Sequence, residues 1–440
     1  MVQEVETLIG PEALAGVDFE AVETAIRRQV LQVAARAVER RFNADVSDHA
    51  GPHMACPCGQ PARYAGRRAK RFETVLGSVT LERAYYHCAA CAQGFSPRDR
   101  ALGLAGTALS PALTRMIGAV GALVSFEEGS TLLRDLAGVA VPPKQVERRA
   151  ETLGREIAED ERAVVEPAGP SAPTLYLGLD GTGVPMRAAE LVGRPGQQPN
   201  GSAKTREVKL VTVWTAEGGA DDGTPVRDAG SVTYSAALES AATRDTDEAP
   251  SAFAQRVDRE ARRRGFDQAP RRVVLGDGAP WIWNLADEQF PGALQIVDLF
   301  HAKQKLSEVA KAVYGPTSPL ATHWAKQRHD ELEAGQIDAV LAGLHVHARA
   351  HDDARKAVEY FTRNRPRMRY PDFRAQRLCT STGVVEAGCK VAIGTRLKRA
   401  GMHWTVAGAD AIIALRCCKL SGRFEDFWER RSAATAAGAR

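Results

Sequence analysis

Two cysteine pairs limit what this chain can fold into more than any other feature. Cys56-Pro-Cys58-Gly and Cys88-Ala-Ala-Cys91 are separated by 29 residues. The stretch between them contains short alternating runs such as Glu73-Thr-Val-Leu-Gly-Ser-Val-Thr-Leu-Glu82, the pattern of a β-hairpin. A hairpin that brings two thiol pairs together on tight turns builds a tetrahedral zinc site. Cys56, Cys58, Cys88 and Cys91 are therefore the expected ligands of one structural zinc, since four protein ligands leave no position for a water. The first pair has one intervening residue where two are commoner. His53 or His87 is the substitute ligand should that spacing keep Cys56 from the metal. The plainer alternative is four unrelated buried cysteines.

Eight cysteines in 440 residues are too few for a disulfide scaffold. The first residues carry neither a basic n-region nor an apolar h-region. The longest uncharged apolar candidate, residues 116–126, falls short of the roughly 18 to 20 residues of a membrane span. These observations predict a cytoplasmic protein in a reducing compartment, with no membrane partner. A chain of 440 residues, 44% hydrophobic and 25% charged, is ordinary globular sequence and has room for about three domains.

The segments differ in texture. Residues 1–50 read as helical, with Leu14, Val17, Val22, Ile26, Val30, Val33 and Val38 spaced three to five apart over 10–42. Residues 51–100 form the cysteine module. Residues 101–170 return to helix and close in a linker marked by Pro167, Pro170 and Pro173. Within them, a helix at 126–136, a turn at 137–143 and a second helix at 144–157 outline a helix-turn-helix. Val146, Ala150, Leu153 and Ile157 face inward there, and Arg148, Arg149 and Arg155 face outward; a plain packing or dimerising hairpin would look the same. From 171 strand and helix alternate, which defines an α/β unit. Runs at 176–179, 208–214 and 232–236 read as three neighbouring strands, followed by a helix at 250–265 and strands at 272–275 and 294–297. Residues 302–370, 383–400 and 406–419 read as helices.

Net charge is only +4, but it is sorted: residues 1–50 carry five basic and nine acidic groups, residues 51–100 eight and three, and residues 371–440 twelve and six. Arg63, Arg67, Arg68, Lys70 and Arg71 lie on or beside the hairpin with Tyr64, Phe72, Tyr85 and Tyr86 among them. Arg363, Arg365, Arg367 and Arg369 form another run. Such clusters suit contacts with a phosphate backbone, and solvated surface is the alternative.

Three carboxylates stand out. Asp180 ends the first strand, in Tyr176-Leu-Gly-Leu-Asp-Gly-Thr-Gly, Asp277 ends the fourth, in Val273-Val-Leu-Gly-Asp-Gly, and Glu386 lies in Ser381-Thr-Gly-Val-Val-Glu-Ala-Gly-Cys-Lys. In an open α/β sheet, sites are built at the carboxyl ends of the strands, and the bracketing glycines leave room for a hydrated ion or a phosphate. Three carboxylates supply hard oxygen ligands for two magnesium ions, which catalyse in-line attack at phosphorus. Gly-x-Asp-Gly-Thr-Gly alone also fits a phosphate-binding turn of sugar-kinase type.

With Cys-Pro-Cys-Gly, Arg-Ala-Tyr-Tyr-His-Cys-Ala-Ala-Cys, Leu-Asp-Gly-Thr-Gly, Leu-Gly-Asp-Gly-Ala-Pro-Trp-Ile-Trp and Gly-Val-Val-Glu-Ala-Gly in hand, the chain resembles bacterial insertion-sequence transposases of the DDE type, most closely the ISKra group. The resemblance runs over almost the whole chain. It implies a ribonuclease-H-like catalytic core formed by residues 171–314 and 381–440, with a helical insertion at 315–380. It implies Asp180, Asp277 and Glu386 as the metal-binding catalytic triad, with two Mg2+ that Mn2+ can replace. Asp298-Leu-Phe-His301 matches the Asp-x-x-His signature of related transposases, which places Asp298 and His301 beside the active site. A helix-start histidine paired with Asp298 is the structural alternative. Lys390, at i+4 from Glu386, is an auxiliary residue that holds DNA phosphate or pairs with that acid; Lys398 and Arg399 lie further along. Arg67, Arg68, Lys70, Arg71, Arg148 and Arg149 are the expected DNA-binding residues. The implied partners are double-stranded transposon ends and target DNA, with a homo-oligomer on the DNA and a nucleoid-associated location. A catalytically silent zinc-dependent DNA-binding regulator and a nuclease without strand transfer are the rival functions. Trp281, Trp283 and Trp404 read as core residues ahead of base-stacking ones.

Overall fold

In a computed structural model, residues 18–163, 172–196, 198, 201–219, 225–242, 249–380 and 383–437 are described, with the backbone alone for 384–386 and 435–437. The chain divides into two units, Met1–Leu153 with Arg423–Arg440, and Gly154–Gly422. No helix among the described residues is long and apolar enough to cross a membrane.

The first unit opens with α1 (Phe19–Ala44), whose N-cap Asp18 accepts from the amide of Glu20. The expected helix from residue 10 begins outside the described residues, as do Leu14 and Val17. Four strands follow in the order β1 (His53–Ala55), β2 (Pro61–Thr74), β3 (Gly77–His87) and β4 (Gly94–Phe95), all antiparallel. Alternation along β2 and β3 turns Phe72, Val79 and Leu81 onto Ala35, Val38 and Phe42 of α1. A bulge between Tyr64 and Arg67 bends the hairpin. Next come α2 (Pro97–Ala101), α3 (Pro111–Leu123), α4 (Phe126–Ala137) and α5 (Pro143–Ala163), which belongs to this unit up to Leu153 and to the second from Gly154. Ser125 and Glu128 form a capping box on α4, and Gly138 at φ 72° ends it. Val146, Ala150, Leu153 and Ile157 are fully buried, the inward face expected of either a helix-turn-helix or a packing hairpin. The terminal helix Phe424–Ala437 groups with this unit instead of with the 381–422 segment, and Glu425 pairs with Arg115 of α3.

The second unit is built on a five-stranded mixed sheet in the order β11-β10-β5-β6-β9. β5 (Thr174–Pro185), β6 (Thr205–Trp214) and β9 (Thr233–Ala237) form an antiparallel meander; between the last two lies a small ribbon of β7 (Gly218–Gly219) and β8 (Pro225–Val226). α6 (Ala252–Arg263) then leads to β10 (Arg271–Gly276), α7 (Pro280–Gln289) leads to β11 (Leu294–Val297), and both strands run parallel to β5. Residues 174–179 of β5 are buried throughout, which is why that run is continuously apolar rather than alternating. After α8 (Leu299–Tyr314) come four helices, α9 (Pro319–Glu333), α10 (Ile337–Ala348), α11 (Asp352–Asn364) and α12 (Tyr370–Ala375), filling the span expected of an insertion. Trp324, Val340, Phe361 and Phe373 belong to the same core as Val273 and Leu275 of the sheet. α13 (Gly383–Gly388), a π-helical turn at Cys389–Gly394, α14 (Thr395–Leu397) and α15 (Val406–Leu420) complete the unit. The Ser or Thr cap expected at 381–382 lies outside the described residues.

Candidate functional site

The cysteines come together as their spacing predicts. Cys56 and Cys58 occupy the turn between β1 and β2, and Cys88 and Cys91 the turn between β3 and β4. Both His53 and His87 share a level with Arg63 of β2, so the two turns lie at one end of the sheet. All four sulfurs lie within 4.8 Å of one another, with Cys56 to Cys91 and Cys58 to Cys88 each 3.6 Å. A tetrahedron with Zn–S of about 2.3 Å has edges of about 3.8 Å, so the cluster has the dimensions zinc needs. The amide of Cys56 bonds the carbonyl of Gln60 at 2.9 Å and that of Cys88 the carbonyl of Gln93 at 2.8 Å, closing each turn. Amides of Cys91 and Ala90, aimed at the Cys88 sulfur, hold its thiol down at about 7. One intervening residue is enough for the first pair, because Cys56 reaches the cluster; His53 and His87 are exposed and outside it.

Register assembles the second group. Leu179 of β5 pairs with Gly276 of β10, and Gly276 with Val297 of β11. The next residues, Asp180, Asp277 and Asp298, therefore stand in a row across three adjacent parallel strands, about 4.8 Å between neighbours. Asp277 and Asp298 follow the last residues of β10 and β11, but Asp180 does not end its strand as the sequence suggests: β5 continues to Pro185, because its second half stays laddered to β6, with Asp180 opposite Leu210. Burial raises the Asp180 carboxyl above its ordinary value, and the charge of Asp277 adds to the shift against hydrogen bonds from Cys389 and Gly181. The Gly181 amide bonds Asp180 Oδ1 at 2.6 Å, and the Ala279 amide bonds Asp277 Oδ1 at 2.8 Å. The bracketing glycines do not leave the open space the sequence suggests. A Cβ at Gly181 would stand 2.4 Å from Glu207 Oε1, and one at Gly278 2.5 Å from Tyr360 Cε2.

Asp298 is 1% exposed and caps α8, accepting from the amides of Phe300 at 2.5 Å and His301 at 3.2 Å. His301 Nδ1 lies 3.6 Å from Asp298 Oδ2. Asp298 raises the His301 pKa against the opposing effect of burial, and Asp180 and Asp277 contribute too, so the imidazole belongs to the same electrostatic group. The capping role of Asp298 and its place beside the aspartate pair hold together.

Glu386 lies on α13, and its side chain is outside the described residues. The backbone of that helix sits close on the sheet: a Cβ at Gly388 would meet Leu210 at 3.0 Å, Thr212 at 3.1 Å and Tyr234 at 3.4 Å. Cys389, next in line, donates its thiol to Asp180, and burial pushes that thiol far up. Lys390 is exposed and lies in the π-helical turn, which changes the i+4 spacing assumed for an ordinary helix. Lys398 Nζ bonds Thr182 Oγ1, two residues beyond Asp180 on the same face of β5. Among the described residues, the tetracysteine cluster is the one group of three or more His, Cys, Asp or Glu ligand atoms close enough to share an ion.

The hairpin arginines differ in availability. Arg67 pairs with Asp48 at 2.8 Å and bonds the Glu82 carbonyl at 2.7 Å; Lys70 bonds the Thr107 carbonyl at 2.7 Å; Arg71 pairs with Glu73 at 2.9 Å. Arg68 is exposed, with its guanidinium 3.8 Å from the centre of the Tyr85 ring. Arg148 is exposed, whereas Arg149 bonds Thr114 Oγ1 at 3.3 Å. Trp283 and Trp404 are buried and bond Asn364 Oδ1 and the Leu397 carbonyl, as core residues do. Sequence reasoning missed Cys389 and Tyr360, which carry no motif of their own; the small-residue string around Glu386 was the sole pointer to Cys389.

No protein-family model matches this chain, and no curated protein does.

Proposed function

We propose that the protein is a DDE-type transposase of the insertion-sequence kind, which binds the terminal inverted repeats of its own element, cleaves phosphodiester bonds there and joins the freed 3′-hydroxyl to target DNA. The observation that carries this reading is the register that stands Asp180 beside Asp277, with the backbone of the Glu386 helix packed on β6. A meander followed by two parallel strands, in the sheet order β11-β10-β5-β6-β9, supports a ribonuclease-H-like core.

Asp180, Asp277 and Glu386 would hold two magnesium ions. Bound there, the ions activate the attacking water or hydroxyl and stabilise the leaving oxygen. The chain's own contribution is positional. Asp180, partly desolvated and next to a second carboxylate, gains from a cation in its place far more than an exposed aspartate does. His301, whose pKa the neighbouring acids raise, and the ammonium of Lys398 stand beside the acids, where a DNA phosphate approaches. The cysteine cluster holds a structural zinc that fixes β1 to β4, and Arg68 and Arg148 are exposed hairpin and helix cations open to DNA. Pairing two element ends requires at least two copies of the chain on DNA.

The test is incubation of the full chain with duplex DNA bearing the inverted repeats that flank its gene. Nicking at the repeat ends in magnesium or manganese, and none in calcium, is expected, because the larger, looser calcium shell misplaces the reacting oxygens. Absence of cleavage in all three ions overturns the reading in favour of a regulator.

A further inference from the structure

The insertion helix α11 reaches back to the loop that carries Asp277. Tyr360 donates its hydroxyl to the Asp277 carbonyl at 2.8 Å, across 83 residues of chain. One turn on, Asn364 Nδ2 donates to the Gly278 carbonyl at 3.2 Å, while its Oδ1 accepts from Trp283 Nε1 of α7 at 2.8 Å. Asn364 is fully buried. Gly278 adopts φ +93°, a conformation that favours glycine, and the Tyr360 ring lies where a side chain at 278 would be. Asp277 is the first residue after β10, at the start of the turn.

We propose that Tyr360 and Asn364 are positioning residues that clamp the Asp277–Gly278 turn through its two carbonyls, and so set the aim of the Asp277 carboxylate toward a divalent cation. This rests on the reading of Asp180 and Asp277 as metal ligands. It gives the helical insertion a role in the chemistry: the insertion supplies the outer groups that orient a ligand, whose loss characteristically weakens metal affinity by about 10- to 100-fold. Cation–π contact from Lys305 Nζ, 5.4 Å from the Tyr360 ring centre, and the T-shaped contact with Phe361 hold the phenol in place.

Mn2+ binding to the full, zinc-loaded chain, followed by electron paramagnetic resonance of the free ion, separates the possibilities without relying on turnover. Four proteins are compared with wild type: Tyr360→Phe, which keeps the ring and removes the hydroxyl; Asn364→Ala; Asp277→Asn; and Tyr314→Phe. The last removes a hydroxyl bonded to His347 Nε2 at 3.0 Å elsewhere on the helices. The inference expects Tyr360→Phe to weaken Mn2+ binding about tenfold with a folded thermal transition, Asn364→Ala to weaken it at least as much, and Tyr314→Phe to leave it unchanged. Wild-type affinity in Tyr360→Phe, with binding lost in Asp277→Asn, overturns the clamp and leaves the metal site standing. Equal loss in Tyr360→Phe and Tyr314→Phe overturns it too, as a general effect of loosening the helices. If Asp277→Asn binds Mn2+ as wild type does, the metal-site reading falls and the clamp falls with it.

Discussion

Asp180 is a carboxylate held under tension by its surroundings: burial raises its pKa, and Asp277 stands beside it. The folded form therefore binds a proton more tightly than the unfolded chain. That contribution to stability is complete below the ordinary aspartate value and is lost as pH rises through the raised one. Asp180→Asn should accordingly raise the unfolding midpoint at pH 7 in magnesium-free buffer, by about 2 °C, with the gain shrinking as pH falls toward 4; calorimetry across that range checks the sign. Hairpin cations divide on the same physical ground. Asp48 has a 5% exposed side chain and binds both Arg67 and Arg98, so Arg67→Ala leaves a buried acid short of a partner and should cost about 1–3 kcal/mol in denaturant unfolding. Arg68→Ala should change stability by less than about 0.5 kcal/mol and weaken DNA binding instead. Sequence located Arg67, Arg68 and Lys70 but could not distinguish them, because Asp48 meets Arg67 and Thr107 meets Lys70 through tertiary packing and not through spacing along the chain.

Among the elements, the most legible were those whose chemistry is local. Paired cysteines on turns announce the β1–β4 module, and apolar runs that stop at Asp-Gly announce β10 and the first half of β5, whose polar second half to Pro185 carries no such signal. The cysteine end of the module has a small core, essentially Ala62, Ala84, Tyr86 and the buried cysteines, apart from the Phe72, Val79 and Leu81 cluster on α1, so a bound metal should supply much of the stability of that end. One zinc per chain is expected, and Cys88→Ser should abolish it and expose the amides of β2 and β3 to hydrogen exchange while the β5–β11 sheet stays protected. A variant that retains zinc, or loses it without change in exchange, would count against the cluster as a staple. Less legible were the π-helical turn after Glu386 and the clamp from α11. The first depends on how Cys389 and Gly388 pack on the sheet, and the second joins residues 83 apart that carry no shared motif.

For the molecule as a whole, charge sorting was readable and its consequence is testable: binding to element ends should weaken steeply with salt, since several phosphates are neutralised together. The grouping of Phe424–Ala437 with the N-terminal unit was not readable, because its partners on α3 lie three hundred residues away. What links these scales is the pair of aspartates on neighbouring strands, Asp180 and Asp277, proposed to do chemistry on DNA. Asp277→Asn keeps the shape and volume of the side chain, and the amide oxygen still accepts from Ala279, but the ligand charge is gone. In magnesium, the variant should bind duplexes carrying the terminal repeats as wild type does and cut none of them, with a loss of at least about a thousandfold in nicking rate. An Asp277→Asn protein that nicks its ends at the wild-type rate would contradict the account and return Gly-Asp-Gly to an ordinary turn.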